Sequence, residues 1–313
     1  MRVLFLGTPQ FAVPSLTKLL EDPEIDVVGV ITQPDRPAGR GKRPTPPPVK
    51  EVALAAGLPI FQPERIRGNP EARRILEELQ PDVAVVVAFG QILPVEFFEA
   101  PPHGTVNVHA SLLPRYRGAA PVVHALLNGE SKTGVTIMRI DEGMDTGDML
   151  AWREVPIPPE MTAGELEALL AREGAALLIP TLHDYVAGRI RPVPQDPAQA
   201  TYAPRIKKED AVIDWTRDAA RVHNLVRAMN PKPGAVTSFR GTPVKIWRTL
   251  PPAEVIGEEG KPGEILARVG DGLKVACGRG AVIVTELQLP GRRRITGAEF
   301  ANGFRPAAGE RFS

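Results

Sequence analysis

Residues 104–121 read GTVNVHASLLPRYRGAAP, and the kind of sheet this chain builds is settled there. The piece TVNVHA reads as a short buried strand. Residues two apart on a strand share a face, so Val106 and Val108 point one way and Asn107 and His109 the other. A polar pair at the C-terminal end of a strand, followed by a loop with Pro and Gly, is how open α/β sheets form active sites. An amide beside an imidazole suits acyl transfer, in which one steadies an oxyanion and the other moves a proton.

Apolar strands and helices alternate around this stretch. Strands are predicted at Arg2–Leu6, Val27–Thr32, Asp82–Phe89, Thr105–His109 and Val135–Ile140. Helices are predicted at Phe11–Leu20, Glu71–Leu79 and Ala119–Leu127, with a long one over Thr162–Gly188. Continuous apolar strands fit a parallel sheet covered on both faces. Repeated βα units predict an α/β domain with a doubly wound, mostly parallel, Rossmann-like sheet over residues 1–189. Residues 190–206, rich in Pro and polar side chains, read as a linker. After a helix over Thr216–Met229, short strands near 235–239, 243–249, 263–269, 272–276 and 280–288 predict a small OB-like β-barrel domain over 207–313. The first strand is followed by a lone Gly7. Neither a dinucleotide fingerprint nor a phosphate-binding P-loop motif is present.

The chain has 313 residues, 43% of them apolar, enough for two domains with real cores. Its net charge of +1 hides an asymmetry. Residues 201–313 hold 19 Lys/Arg and 12 Asp/Glu, a net of +7; residues 1–200 hold 19 and 25, a net of −6. Such a basic half either serves a polyanion such as nucleic acid or is charge scattered over a surface. Residues 33–50, QPDRPAGRGKRPTPPPVK, are a long insertion after the second strand. Arg36, Arg40, Lys42, Arg43 and Lys50 there face one acid, Asp35. The prolines argue against helix, and a loop of this length is uncommon unless used, so it is a candidate anchor for phosphates. The single cysteine, Cys277, excludes an internal disulfide and a cysteine metal cluster, and it reads as a buried bystander. MRVLFLG runs directly into a strand without a leader pattern, and no apolar run approaches about 18 residues, so cytoplasmic residence is expected.

Among the five histidines, His109 stands apart because it shares a strand face with Asn107. A second constellation, DEGMDTGD at 141–148, follows the strand Val135–Ile140 and is placed by that reading at a C-terminal strand edge. It misses the Ca²⁺-loop spacing. One of its aspartates could sit against His109 and hold its tautomer, or the stretch is an acidic turn and no more. No zinc-ligand spacing is found, and no metal is expected.

NVHASLLPRYRG, TGVTIM at 133–138 and DEGMDTGD together resemble the folate-dependent formyltransferase family. QPDRPAGRGK at 33–42, YAPRIKKEDAVIDW at 202–215 and the basic tail resemble the branch of that family acting on aminoacylated tRNA, so the likeness covers essentially the whole chain. The resemblance implies transfer of the formyl group of 10-formyltetrahydrofolate, a co-substrate, to the α-amino group of methionyl initiator tRNA for translation initiation; separately, a monomer is expected. The resemblance also implies a catalytic trio of Asn107, His109 and Asp145. It implies a folate loop at Ser111, Leu112, Leu113 and Pro114. Pterin-facing segments fall at Phe89, Gly90, Gln91, Ile92 and Leu93 and at Asp141, Glu142, Gly143 and Met144. The tRNA acceptor end is expected at the basic insertion, on Arg36, Arg40, Lys42 and Arg43. Three other readings compete. An amino-sugar-nucleotide formyltransferase would need no long basic insertion, a folate-binding regulator predicts a broken trio, and a plain RNA-binding protein leaves the strand-end pair unexplained.

Overall fold

Only a sheet with a layer on each side buries a strand that is apolar on both faces. The strand β1 (Arg2–Gly7) meets that condition: Val3, Leu4, Phe5 and Leu6 have no exposed surface. The structure is a computed structural model and describes residues 1–38, 43–251 and 260–313. After β1 come α1 (Val13–Glu21), β2 (Asp26–Ile31), β3 (Arg36–Ala38), β4 (Arg43–Thr45), α2 (Pro48–Ala55), β5 (Ile60–Phe61) and α3 (Pro70–Leu79). Next are β6 (Val83–Val87), α4 (Val95–Phe98), β7 (Thr105–His109), α5 (Pro121–Leu127), β8 (Lys132–Arg139), β9 (Met149–Pro156) and α6 (Ala163–Val186). The chain divides into two compact units, one of residues 1–118, 133–155 and 167–202, the other of residues 119–132, 156–166 and 203–313.

The first unit holds a seven-stranded sheet in the order β5-β2-β1-β6-β7-β8-β9. From β5 to β7 every pair is parallel, whereas β7 and β8 are antiparallel. In that pair Val106 faces Arg139 and His109 faces Thr136. The C-terminal end of β8 therefore lies beside the N-terminal end of β7. Helix α6 comes close to β7 at Gly174, where a Cβ would stand 2.7 Å from Val108 Cγ1. On the other side, Leu4, Leu6, Ile31, Ile75, Val86 and Phe89 share one core with Phe97 and Phe98 of α4.

The basic insertion is not the single long loop expected. Its ends fold into the β3–β4 hairpin, with Arg36 opposite Thr45 and Ala38 opposite Arg43. Proline suits extended backbone and lacks a donor, and Pro37 and Pro44 stand opposite each other there. Pro48 then opens α2, because proline is favoured in the first helical turn that its ring would break further on.

The second unit adds α7 (Ala219–Ala228), β10 (Ala235–Phe239), β11 (Thr242–Leu250), β12 (Ile265–Val269), β13 (Gly272–Ala276), β14 (Ala281–Gln288), β15 (Arg294–Thr296) and α8 (Gly297–Phe304). Its strands run in the order β10-β11-β14-β13-β12, antiparallel throughout, with β15 beside β14. Residues 310–313 close this sheet. Ser238 and Ser313 exchange backbone hydrogen bonds of 2.8 and 2.9 Å on one flank. On the other, Phe312 N donates to Gly263 O at 2.8 Å and Ile265 N to Glu310 O at 2.9 Å. Phe312 turns inward to stack on Trp215 at 5.8 Å and meets Phe239 and Phe300 at 5.6 and 5.7 Å. Helix α8 begins with a capping box of Thr296 and Glu299, a local signal the sequence reading passed over. Cys277 is buried, and burial pushes its thiol up to about 12. Among the described residues no helix is long and apolar enough to cross a membrane.

Candidate active site

The site grows from the end of β7. Val106 and Val108 are buried as the alternation requires. Asn107 is half-buried, fixed in register between Val86 of β6 and Met138 of β8. Among the described residues no hydrogen bond engages its side-chain amide, which stands two residues before His109 on the strand. The His109 ring is buried, 7% exposed, and its Nε2 lies 3.0 Å from Tyr116 O. A carbonyl can only accept, so Nε2 carries the proton. The other nitrogen, Nδ1, faces Asp145 Oδ2 at 3.7 Å.

Asp145 arrives by an unexpected route. Because β8 is antiparallel to β7, the 141–148 loop leaves from the sheet edge opposite His109, where Ile140 N donates to Thr105 O at 2.8 Å. The expected C-terminal strand edge is that of β8 itself, and antiparallel pairing puts it beside the N-terminal end of β7. From there the loop folds back along the sheet. Asp141 Oδ1 accepts from Gly143 N at 3.1 Å and from Thr146 Oγ1 at 2.6 Å, which turns the chain. Gly147 then presses so closely on the Arg139 carbonyl that any Cβ there would overlap it. Asp145 itself sits at φ +55°, a left-handed conformation costly for a side-chain-bearing residue, and Tyr116 shares it at +61°. The Asp145 carboxylate also accepts from Gly118 N at 2.7 Å, tying the acidic loop to the loop that follows β7.

That second loop carries Ser111, Leu112, Leu113 and Pro114. Thr136 of β8 pins it by donating to Ser111 O at 2.7 Å and accepting from Leu113 N at 3.1 Å. Ser111 Oγ donates to Arg115 O at 2.6 Å. Ser111 and Leu113 are buried, and Leu112 and Pro114 half-buried.

Sequence reading missed three residues here. Arg117 and Gln195 are 5% and 8% exposed, and Gln195 Oε1 accepts from Arg117 Nε and Nη2 at 3.1 and 2.7 Å. Gln195 Nε2 donates to Asp145 O at 2.9 Å and to Gly147 O at 2.7 Å. Thr201 takes the N–H of Tyr116 on its Oγ1 and that of Arg117 on its carbonyl, both at 2.8 Å. Gln195 and Thr201 lie in the stretch read only as a linker. Arg117 is legible as part of the quoted motif, but Gln195 has no local pattern to mark it.

A cavity of about 760 Å³ opens beside the acidic loop, within the usual range for small-molecule sites. Asp141, Glu142, Gly143, Gly147 and Asp148 line one part, and Phe98, His103, Thr105, Arg139 and Tyr185 another. Phe89 and Leu93 instead enter the core, and Gln91 is occupied in accepting from Ile66 N at 2.8 Å. Gly90, Ile92 and Met144 are exposed, Ile92 at 79%.

Of the basic residues, Arg36 is exposed and donates to Gln33 Oε1 at 3.1 Å, and Arg43 belongs to β4. Arg40 and Lys42 lie outside the described residues. Lys50 is paired with Asp35 at 2.8 Å. Away from the site, Asp22, Glu24 and His183 cluster. Each ring nitrogen of His183 meets its own carboxylate there, Asp22 at 3.0 Å and Glu24 at 3.7 Å, an ion-pair arrangement. The hydrogen bond from His183 holds the Asp22 carboxyl below its ordinary range.

Residues 1–182 match the formyl transferase family and residues 205–305 the formyl transferase C-terminal domain. The methionyl-tRNA formyltransferase of Geobacter sulfurreducens is 49% identical over 312 residues, covering 99% of this chain and 96% of that protein. Its counterpart in a Synechococcus species is 48% identical over 321 residues, covering 100% and 98%. Among solved structures, an N-formyltransferase from Helicobacter canadensis in complex with folinic acid and dTDP-3-aminofucose aligns with a TM-score of 0.66 at 21% identity, over 90% of this chain and 98% of that one. HypX from Aquifex aeolicus in complex with tetrahydrofolic acid gives 0.66 at 21% identity, over 99% of this chain, which spans 48% of HypX. At such identity the likeness is one of fold. Identity near one half over the full length is of another order, and with both family domains matched the chain belongs to the methionyl-tRNA formyltransferase family of formyl transferases.

Proposed function

We infer that this protein transfers the formyl group of 10-formyltetrahydrofolate to the α-amino group of methionyl initiator tRNA, acting in the cytoplasm as a monomer. The observation that supports the reading is the His109 ring facing the Asp145 carboxylate at 3.7 Å, with Asn107 two residues before His109 on the same strand. Formyl transfer needs one group to hold negative charge on the carbonyl oxygen and one to move a proton from the attacking amine toward the leaving nitrogen. Asn107 is suited to the first task, since its N–H groups have no other described partner to leave. One such donor is worth about 2.7–4 kcal/mol in the transition state. His109 is suited to the second. Its Nε2–H is held by the Tyr116 carbonyl, so proton exchange runs through Nδ1, beside Asp145. Asp145, its Oδ2 3.7 Å from Nδ1, orients the ring. A positioned acid or base contributes roughly a hundred- to ten-thousand-fold.

The bound folate supplies the activated formyl group. Asp141, Glu142 and Gly143, on the loop that carries Asp145, offer donors and acceptors of the kind the polar rim of a pterin calls for. Met144, the 89–93 segment and Ser111–Pro114 complete the folate site in this reading. Arg36, Arg40, Lys42 and Arg43 take the phosphates of the tRNA acceptor end.

The test offers the protein 10-formyltetrahydrofolate with either charged initiator tRNA or an amino-sugar nucleotide and follows tetrahydrofolate release. Release with the tRNA alone is expected. Release with the sugar nucleotide alone would assign the acceptor to the other branch, and release with neither would overturn formyl transfer.

A further inference from the structure

We propose that Gln195 is a positioning residue for formyl transfer, holding the catalytic carboxylate of Asp145 in place through the backbone of its loop. The proposal rests on the role given to Asp145 above. The acidic loop reaches His109 only by folding back along the sheet. The loop starts at the far sheet edge, and Asp145 adopts φ +55°, so a surrounding structure must over-determine the conformation. Gln195 supplies it. Its single side-chain amide donates to two carbonyls, Asp145 O at 2.9 Å and Gly147 O at 2.7 Å, bracketing the strained residue.

The amide is itself fixed. Arg117 has no acceptor role, so its fork of donors can address only the oxygen of Gln195, at 3.1 and 2.7 Å. That choice sets which end of the amide faces the loop. Both side chains are more than nine-tenths buried, where water competes poorly for these bonds. Arg117 also stands one residue before Gly118, whose N–H holds the Asp145 carboxylate at 2.7 Å. The carboxylate is thus gripped from its own backbone by Gln195 and at its oxygen by the loop after β7. Thr201, six residues beyond Gln195, receives Tyr116 N and Arg117 N and so keeps that loop in the same frame.

Gln195→Glu tests the idea with little change of shape. The carboxylate still accepts from Arg117, and as an ion pair, but it has no N–H for the two carbonyls. We expect kcat to fall ten- to a hundred-fold, the size of effect that misplacing a catalytic group by about 1 Å produces. The KM values for folate and tRNA should stay within about twofold, while the thermal midpoint falls, because two buried carbonyls lose their donor. In a chain already carrying Asp145→Ala, the same substitution should lower the residual single-turnover rate no further, because it acts through the missing group. Gln195→Asn, which keeps the amide on a shorter arm, should recover part of the rate. An unchanged kcat in Gln195→Glu would overturn the proposal, as would an equal fall in both backgrounds. If Asp145→Ala alone leaves kcat intact, the role assigned to Asp145 fails instead.

Discussion

Truncating Asn107 to alanine isolates a single term of the chemistry. The side chain is half-buried in β7, and its amide serves no other described residue, so its removal strands no donor or acceptor among the described residues. The backbone stays locked between Val86 and Met138. The stability cost should therefore stay within about 1 kcal/mol, as for substitutions that break no buried network. The catalytic cost is different in kind. A donor aimed at developing negative charge is worth about 2.7–4 kcal/mol, so kcat should fall roughly a hundred- to a thousand-fold. Binding of folate and tRNA in the ground state should change little, because the carbonyl oxygen carries little charge before attack. Steady-state kinetics with each substrate varied in turn, with a melting curve beside them, read all three quantities. A kcat loss under tenfold, or a loss that appears only in KM, would refute the assignment of Asn107 to the oxyanion.

Other outcomes follow from the same structure. Phe312→Ala removes the inward anchor of the segment that closes the barrel; it should cost about 3–5 kcal/mol in denaturant unfolding, and a cost below about 1 kcal/mol would mean that the closure contributes little. Glu165 is held near 2 instead of 4.5, first by the Thr162 backbone and then by Arg248 and the Thr162 hydroxyl. A folded value below the unfolded one means stability that is present above about 4.5 and lost as pH falls toward about 2. The carboxylate is 46% exposed, which limits the effect to about 1 kcal/mol at most; the gap in melting temperature between parent and Glu165→Gln should narrow over that window, and a pH-independent gap would refute the cause. Replacing Arg36, Arg40, Lys42 and Arg43 with glutamine should raise the KM for tRNA, flatten its salt dependence and spare the KM for folate. A rise in the folate KM instead would move the insertion into the folate site.

Much of this molecule is legible in one dimension because its signals are local. The strand Thr105–His109 follows from alternation and chain punctuation, and the face shared by Asn107 and His109 follows with it. What escaped was set by long-range pairing. Nothing in Val135–Ile140 tells a strand which way its neighbour runs, so the edge from which Asp145 departs could not be read. Pro46–Pro48 look like helix breakers until Pro48 proves to be at the start of α2, where the same ring is favourable. Gln195 sits in a stretch whose composition says only loop, yet its two ends meet Arg117 and the 145–147 backbone, 48 to 78 residues away. The barrel closure by 310–313 depends on partners at Ser238 and Gly263 that no periodicity announces.

The most direct measurement of the central claim compares chemistry with binding in His109→Ala and Asp145→Ala. Single-turnover formyl transfer to charged initiator tRNA and the Kd for 10-formyltetrahydrofolate are determined on the same preparations. Turnover is expected to drop by at least about a hundred-fold in each, with the Kd unchanged within about threefold. Parallel losses in turnover and affinity, or full turnover in either variant, would contradict a shared role for these side chains in moving the proton.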